Sequence, residues 1–228
     1  MHPEISILPS RLFYKGRLQD GPDMAAKNQR PWHVSTKFGP YHFYNVNKGV
    51  EETGRFHSLI NKAEAQVAVA LYNRLRQEFS TFDFDFKVGV VTMYRAQVTE
   101  LRRAFEQRFG VNIASTVDFN TVDGFQGQEK DIIILSCVRA GPGLSTVGFL
   151  AGMYFREDMT LKSDAAVIDV RRMNVALTRA KASVFILGNA ATLERSDQNW
   201  KTIVQDARDR SALVDVRLNS FNSVCVYL

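Results

Sequence analysis

The sequence predicts an α/β fold, a parallel sheet covered by helices on both faces and built as a single lobe. Three observations point there. Short β-branched runs alternate with longer stretches of helical periodicity. The strand runs are continuously apolar, as strands buried on both faces must be. The chain has 228 residues, 45% hydrophobic and 23% charged, which suits one globular domain.

The elements follow in order. Residues 1–58 read as an irregular opening segment, punctuated by Gly16, Gly21, Pro22, Pro31, Gly39, Pro40, Gly49 and Gly54. Within it, residues 41–46 are a candidate strand. The lobe proper spans 59–228. A helix is predicted from Ser58 or Leu59 to about Phe79, with Ile60, Ala63, Val67, Leu71 and Leu75 inward and Ser58 as its N-cap. Residues 87–93 form a buried strand. The next helix turns Val98, Leu101, Phe105 and Phe109 inward and stops at Gly110. Residues 113–119 are a strand candidate, and 131–138, with Ile132-Ile133-Ile134-Leu135, are the strongest strand. A glycine-rich loop follows. Residues 170–181 read as a helix with Val170, Met173, Leu177 and Ala180 inward, and 182–188 as a strand. Trp200, Ile203, Val204 and Ala207 mark a last amphipathic helix.

Composition narrows the chemistry. No apolar run approaches the ~20 residues of a membrane helix, and residues 1–15 lack the pattern of a secretory leader. Two cysteines, Cys137 and Cys225, exclude a disulfide framework or a four-cysteine zinc site, and Cys137 reads as a small buried hydrophobe. The four histidines show no metal-ligand spacing, so no metal site is expected. The net charge of +5 leans mildly toward polyanionic partners.

Ligands on such sheets bind at the carboxyl ends of the strands, so chemistry is expected just after each strand, and the polar motifs are expected to lie there. The first cluster is Thr92-Met93-Tyr94-Arg95-Ala96-Gln97. A tyrosine and an arginine at a strand-to-helix junction can stack on a base and reach a phosphate. Taken alone, a half-buried tyrosine and a solvated arginine explain it as well. The second is Thr121-Val122-Asp123-Gly124-Phe125-Gln126-Gly127-Gln128-Glu129-Lys130. Its glycines permit close backbone approach to a phosphate, and Glu129 suits sugar hydroxyls; a plain turn is the alternative. The third, residues 171–181, holds four cations and no acid. On one helix Arg172 and Arg179 would share a face, about 10 Å apart. A rigid arginine suits charge on a transferring phosphoryl group, and a solvated basic face is the alternative. The chain has no Gly-Lys dipeptide, hence no phosphate loop, and no Asp-Glu pair for magnesium.

In this order the clusters resemble motifs IV, V and VI of the second RecA-like lobe of superfamily 1 helicases of the nonsense-decay and senataxin group. Residues 90–94 resemble motif IV, 121–131 motif V and 171–181 motif VI. Met1-His2-Pro3-Glu4-Ile5-Ser6, Pro9-Ser10-Arg11-Leu12-Phe13-Tyr14 and Val147-Gly148-Phe149-Leu150 resemble further family segments. The resemblance covers nearly the whole chain. Val122 to Lys130 and Arg171-Arg172-Met173-Asn174 favour the senataxin branch, which includes a fungal transcription-termination helicase.

The resemblance implies a RecA-like motor lobe that acts on ATP with Mg2+, the phosphate cradle and metal site lying on a first RecA-like lobe. It implies that Arg179 is the arginine finger and that Tyr94 stacks on adenine. Arg95, Gly127, Glu129 and Arg172 join the nucleotide site. Thr121, with Thr92 and Thr146, contacts nucleic acid, and Gln126 couples the two sites. The implied partners are single-stranded RNA or DNA, RNA–DNA hybrids, and RNA polymerase II or termination factors, with no membrane. The implied setting is the nucleus, in transcription termination and R-loop removal with 5′ to 3′ movement. The chain by itself is expected to be inactive. An RNA-decay helicase of the same group and a non-catalytic docking platform are the other readings. Two departures stand out. Met93 replaces the usual motif IV proline, and residues 151–170 form an insertion before motif VI.

Overall fold

The computed structural model describes residues 1–54, 58–141 and 171–216. Its main strands are β1 (Tyr41–Asn45), β4 (Val88–Thr92), β5 (Val117–Thr121), β6 (Lys130–Ser136), β7 (Ala180–Gly188) and β8 (Leu213–Asp215). They pair in parallel in the order β5-β4-β6-β7-β1-β8. A short antiparallel ribbon joins β2 (Glu52–Thr53) to β3 (Leu59–Ile60). The helices are α1 (Pro3–Phe13), α2 (Met24–Lys27), α3 (Lys62–Glu78), α4 (Arg95–Phe109), α5 (171–177), α6 (Ala190–Ser196) and α7 (Gln198–Asp209). This is the RecA-like α/β sheet that the sequence predicts.

Parallel strands need crossover connections, and these place helices on both faces. Side chains alternate accordingly. Val88, Val90, Ile132, Ile134, Phe185 and Leu187 pack with α3 and α4 on one face. Val91, Ile133, Leu135, Val184 and Ile186 pack with α1, α5, α6 and α7 on the other. Cys137 is buried on that second face, as expected. Gly110 ends α4 at φ +89°, a region that glycine enters freely.

Four expectations change. Residues 1–58 are more regular than their glycines and prolines suggest. Pro3 starts α1, where its missing N–H is no loss, and Ile5 and Leu8 anchor that helix in the core. β1 lies inside the sheet, between β7 and β8. The helix predicted from Ser58 begins at Lys62, capped by Asn61, because Leu59–Ile60 pair with the β2 ribbon. Residues 111–115 are a 3-10 turn, so the strand predicted at 113–119 becomes Val117–Thr121. The helix predicted over 170–181 ends at 177. There Thr178 Oγ1 donates to Asn174 O (2.8 Å) and competes with continuation of the helix. Thr146, the 151–170 insertion, Val170 and Cys225 lie outside the described residues.

Candidate nucleotide and nucleic-acid site

The strand register sets the heights of the polar motifs. Thr92 is level with Thr121 on one side and Ser136 on the other, so all three end strands at the carboxyl edge. The first cluster sits there. Thr92 is fully buried, and its Oγ1 accepts from Tyr94 N (3.4 Å). Tyr94 is the N-cap of α4 and is only 3% exposed, so its ring lies within the lobe. Arg95, the first residue of α4, is exposed.

Motif V begins at the same edge. Thr121 Oγ1 accepts from Gly124 N (3.3 Å), Asn120 Oδ1 accepts from Thr121 N (2.8 Å), and Asn120 Nδ2 donates to Gly124 O (3.1 Å). A Cβ on Gly124 would stand 2.2 Å from Asn120 Oδ1, so glycine lets this turn close. Arg172, in α5, clamps the turn from outside. Its Nε donates to Asp123 Oδ1 at 2.9 Å, and Nη2 meets Oδ2 at 2.8 Å, a bidentate pair.

The rest of motif V runs back down the sheet. β5 and β6 are separated by β4, so the connecting loop must cross β4. Phe125 makes that crossing, fully buried, over Gly89 in β4. A Cβ at Gly89 would lie 2.6 Å from Phe125 Cζ. Gln126 is exposed on the crossing. Gly127 turns at φ +81° with nothing within 4 Å of its Cβ position, an open stretch of backbone. The loop ends at the amino edge, where Lys130 N donates to Arg179 O (3.1 Å) and exposed Glu129 faces Lys181 (3.8 Å). The start of the chain arrives here too, since His2 N donates to Lys181 O (2.7 Å). Arg179 is half-buried just beyond α5. Its Nε donates to Val175 O and its Nη2 to Thr178 Oγ1, both at 3.2 Å.

The residues expected at one nucleotide site therefore fall into two groups. Gly127, Glu129 and Arg179 gather toward the amino edge. Tyr94, Arg95 and Arg172 stand at the carboxyl edge, beside Thr92 and Thr121, two of the residues expected to contact nucleic acid. Six residue steps separate Lys130 from Ser136, about 20 Å at ~3.3 Å each. The expectation that the polar motifs all lie at carboxyl ends is corrected: Glu129 and Arg179 precede β6 and β7. Arg172 and Arg179 do not share a helix face, because α5 ends before Arg179.

Sequence reasoning missed a buried polar group behind the carboxyl edge, formed by Asn61, Glu64, Gln97 and Ser136. A capping pattern was visible in Asn61-Lys62-Ala63-Glu64, an N-cap residue with an acid three positions on. Burial pushes the Glu64 carboxyl up to about 8, opposed by its hydrogen bonds with Ser136 and backbone amides. At the amino edge, burial lowers His2, and it lowers His33, with help from neighbouring His2 and Arg30, to about 4. Among the described residues, no group of three or more His, Cys, Asp and Glu is placed to hold a metal ion.

Comparison with known proteins shows the family of the chain. A family model described as an AAA domain matches residues 1–191. Helicase SEN1 of Saccharomyces cerevisiae is 44% identical over 93% of this chain, which spans 9% of that protein. Probable helicase senataxin of Homo sapiens is 32% identical over 94% of the chain, 7% of its own length. The Drosophila melanogaster regulator of nonsense transcripts 1 homolog is 32% identical over 100% of the chain and 18% of its own length. The chain thus spans a small fraction of each of these relatives. With the RecA-like sheet, motifs V and VI in place and these matches, the chain belongs to the AAA domain family, in its senataxin-like branch of superfamily 1 helicases.

Proposed function

We propose that this chain is the second motor lobe of an ATP-dependent helicase that moves 5′ to 3′ on RNA or DNA. The observation that carries the reading is the motif V loop. It joins Thr121 at one edge to Glu129 and the Arg179 backbone at the other, in a crossing pinned by Phe125. A residue that grips nucleic acid is thereby linked to residues suited to a nucleotide, and Gln126 lies between them.

ATP with Mg2+ is the expected nucleotide, and most of its cradle belongs to a first RecA-like lobe. On this chain the open backbone at Gly127, the exposed Glu129 carboxylate and Arg179 fit it. When bound, ATP supplies the phosphoryl group whose hydrolysis powers movement. Glu129 accepts from ribose hydroxyls. Arg179 would reach the γ-phosphate and stabilise the charge that develops there. Arg95 and Thr121 face the strand at the carboxyl edge, where hydroxyl and guanidinium donors suit phosphate oxygens. Buried Tyr94 and Thr92 shape that edge, and Arg172 holds the motif V turn rather than a phosphate. We further propose a nuclear role in transcription termination and removal of RNA–DNA hybrids, with RNA polymerase II or termination factors as partners, the setting implied by the resemblance of motifs V and VI to the senataxin branch.

The test is nucleic-acid-stimulated ATP hydrolysis by the full-length protein, wild type against Arg179→Ala. A loss of about 10³-fold or more in kcat is expected, the scale of an arginine finger. The chain by itself should show negligible turnover. An inactive wild type, or an unaffected variant, refutes the assignment.

A further inference from the structure

The first turn of α3 carries a carboxyl group that the motor reading leaves unused. Glu64 is 0% exposed. Its Oε2 accepts from Ser136 Oγ (2.6 Å) and Val138 N (2.9 Å), and its Oε1 from Asn61 Nδ2 (3.3 Å). All three donors are neutral. Gln97, in the first turn of α4, extends the group. Its Nε2 donates to Asn61 O and Ser136 Oγ, both at 3.0 Å, and its Oε1 accepts from Asn61 N (2.8 Å).

One buried node thus ties together the start of α3, the start of α4 and the exit of β6. That exit has an unusual shape. Val138 is β-branched yet sits at φ +71°, a conformation that persists only where surroundings enforce it. Glu64 holds its N–H, and Asn61 Nδ2 donates to its carbonyl (3.0 Å). Just beyond, Glu51 Oε2 accepts from Arg139 Nε and Ala140 N, both at 2.9 Å. The opposite side of the node is also fixed, since Ser58 Oγ accepts from Ala96 N in α4 (3.1 Å). A buried carboxyl among neutral donors is costly beside an apolar core. What it adds here is a fixed backbone geometry.

We propose that Glu64 is a positioning residue for the nucleic-acid edge. By holding Ser136, Val138 and, through Gln97, the first turn of α4, it sets where Arg95 and the β6 exit stand relative to Thr121. The inference rests on reading the carboxyl edge as the side that meets nucleic acid.

The test uses the full-length protein with Glu64→Ala, Glu64→Gln and Ser136→Ala, and single-stranded oligouridylate as probe. For Glu64→Ala, the oligonucleotide concentration giving half-maximal ATPase stimulation rises about tenfold or more, the scale of one lost buried hydrogen bond. ATP hydrolysis without oligonucleotide and the KM for ATP stay near wild type. Amide exchange at residues 138–140 accelerates, while Lys130 at the amino edge is unchanged. Glu64→Gln keeps an acceptor oxygen and recovers most of the loss. If Glu64→Ala does not fold, Ser136→Ala carries the same expectations. Unchanged exchange at 138–140, or a loss of basal hydrolysis equal to the loss of stimulation, overturns the inference. A wild type that oligouridylate fails to stimulate overturns the motor reading instead, and the exchange data still decide whether Glu64 holds the edge.

Discussion

Glu64 gives the chain a pH-dependent stability of definite sign. Its carboxyl is held at about 8 in the folded chain by burial, against an ordinary value of 4.5. The folded state therefore binds this proton more tightly than the unfolded state. The associated stability is fully present below pH 4.5 and is lost as pH rises through 8. The histidines act in the opposite sense at lower pH. His2, His33 and His42 are all lowered from 6.5, so their stability is lost as pH falls below that value. Between pH 6.5 and 8 Glu64 dominates among these groups. The groups bonded to it, Ser136, Asn61 and the Val138 amide, do not titrate in that window. At 1.36 kcal/mol per unit the loss is about 2 kcal/mol. For a chain of this size that lowers Tm by roughly 4–8 °C. Thermal unfolding followed by circular dichroism at constant ionic strength reads this directly. Glu64→Gln should flatten the profile over the same window. A Tm that holds or rises from pH 6.5 to 8, or the same fall in Glu64→Gln, would refute the reasoning.

Four further outcomes are expected. Gly89→Ala places a Cβ 2.6 Å from Phe125 Cζ and 2.9 Å from Ile133 Cδ1; it should cost about 1–3 kcal/mol in urea unfolding, part of which Phe125→Leu restores. A double-mutant cycle on Arg172→Ala and Asp123→Asn should give a coupling of roughly 0.5–1 kcal/mol, modest because the Asp123 side chain is 53% exposed. The same Arg172→Ala variant should weaken nucleic-acid stimulation and leave the KM for ATP unchanged; a raised KM for ATP would return Arg172 to the nucleotide. Gly127→Ala forces an alanine to φ +81° in open space, so it should cost about 1–2 kcal/mol from backbone strain, detected as a lower urea midpoint without a change in slope.

Much of this lobe is legible in its residues. The short, mostly β-branched apolar runs at 88–91, 132–135 and 184–187 mark strands buried on both faces. The inward spacing of Leu101 and Phe105 marks α4, and Gly110 ends it. Where the reading failed, long-range contacts outweighed local signals. Residues 1–58 read as irregular, yet Ile5 and Leu8 find a core built by β7 and α7, and α1 forms. Ser58 has the chemistry of a cap for α3. The ribbon at 59–60 moves it away, and its Oγ accepts from Ala96 N in the first turn of α4 instead.

The candidate site divides along the same line. Sequence by itself determined which residues are polar, cationic or glycine in motifs IV, V and VI, because those identities are local. It did not determine the edge on which each residue stands. That follows from strand order, in which β4 lies between β5 and β6 and forces motif V to cross the sheet from Thr121 down to Glu129. Strand order is settled by packing among residues far apart in the chain, such as Phe125 on Gly89. Tertiary structure therefore decided that Arg179 stands across the sheet from Tyr94, Arg95 and Arg172.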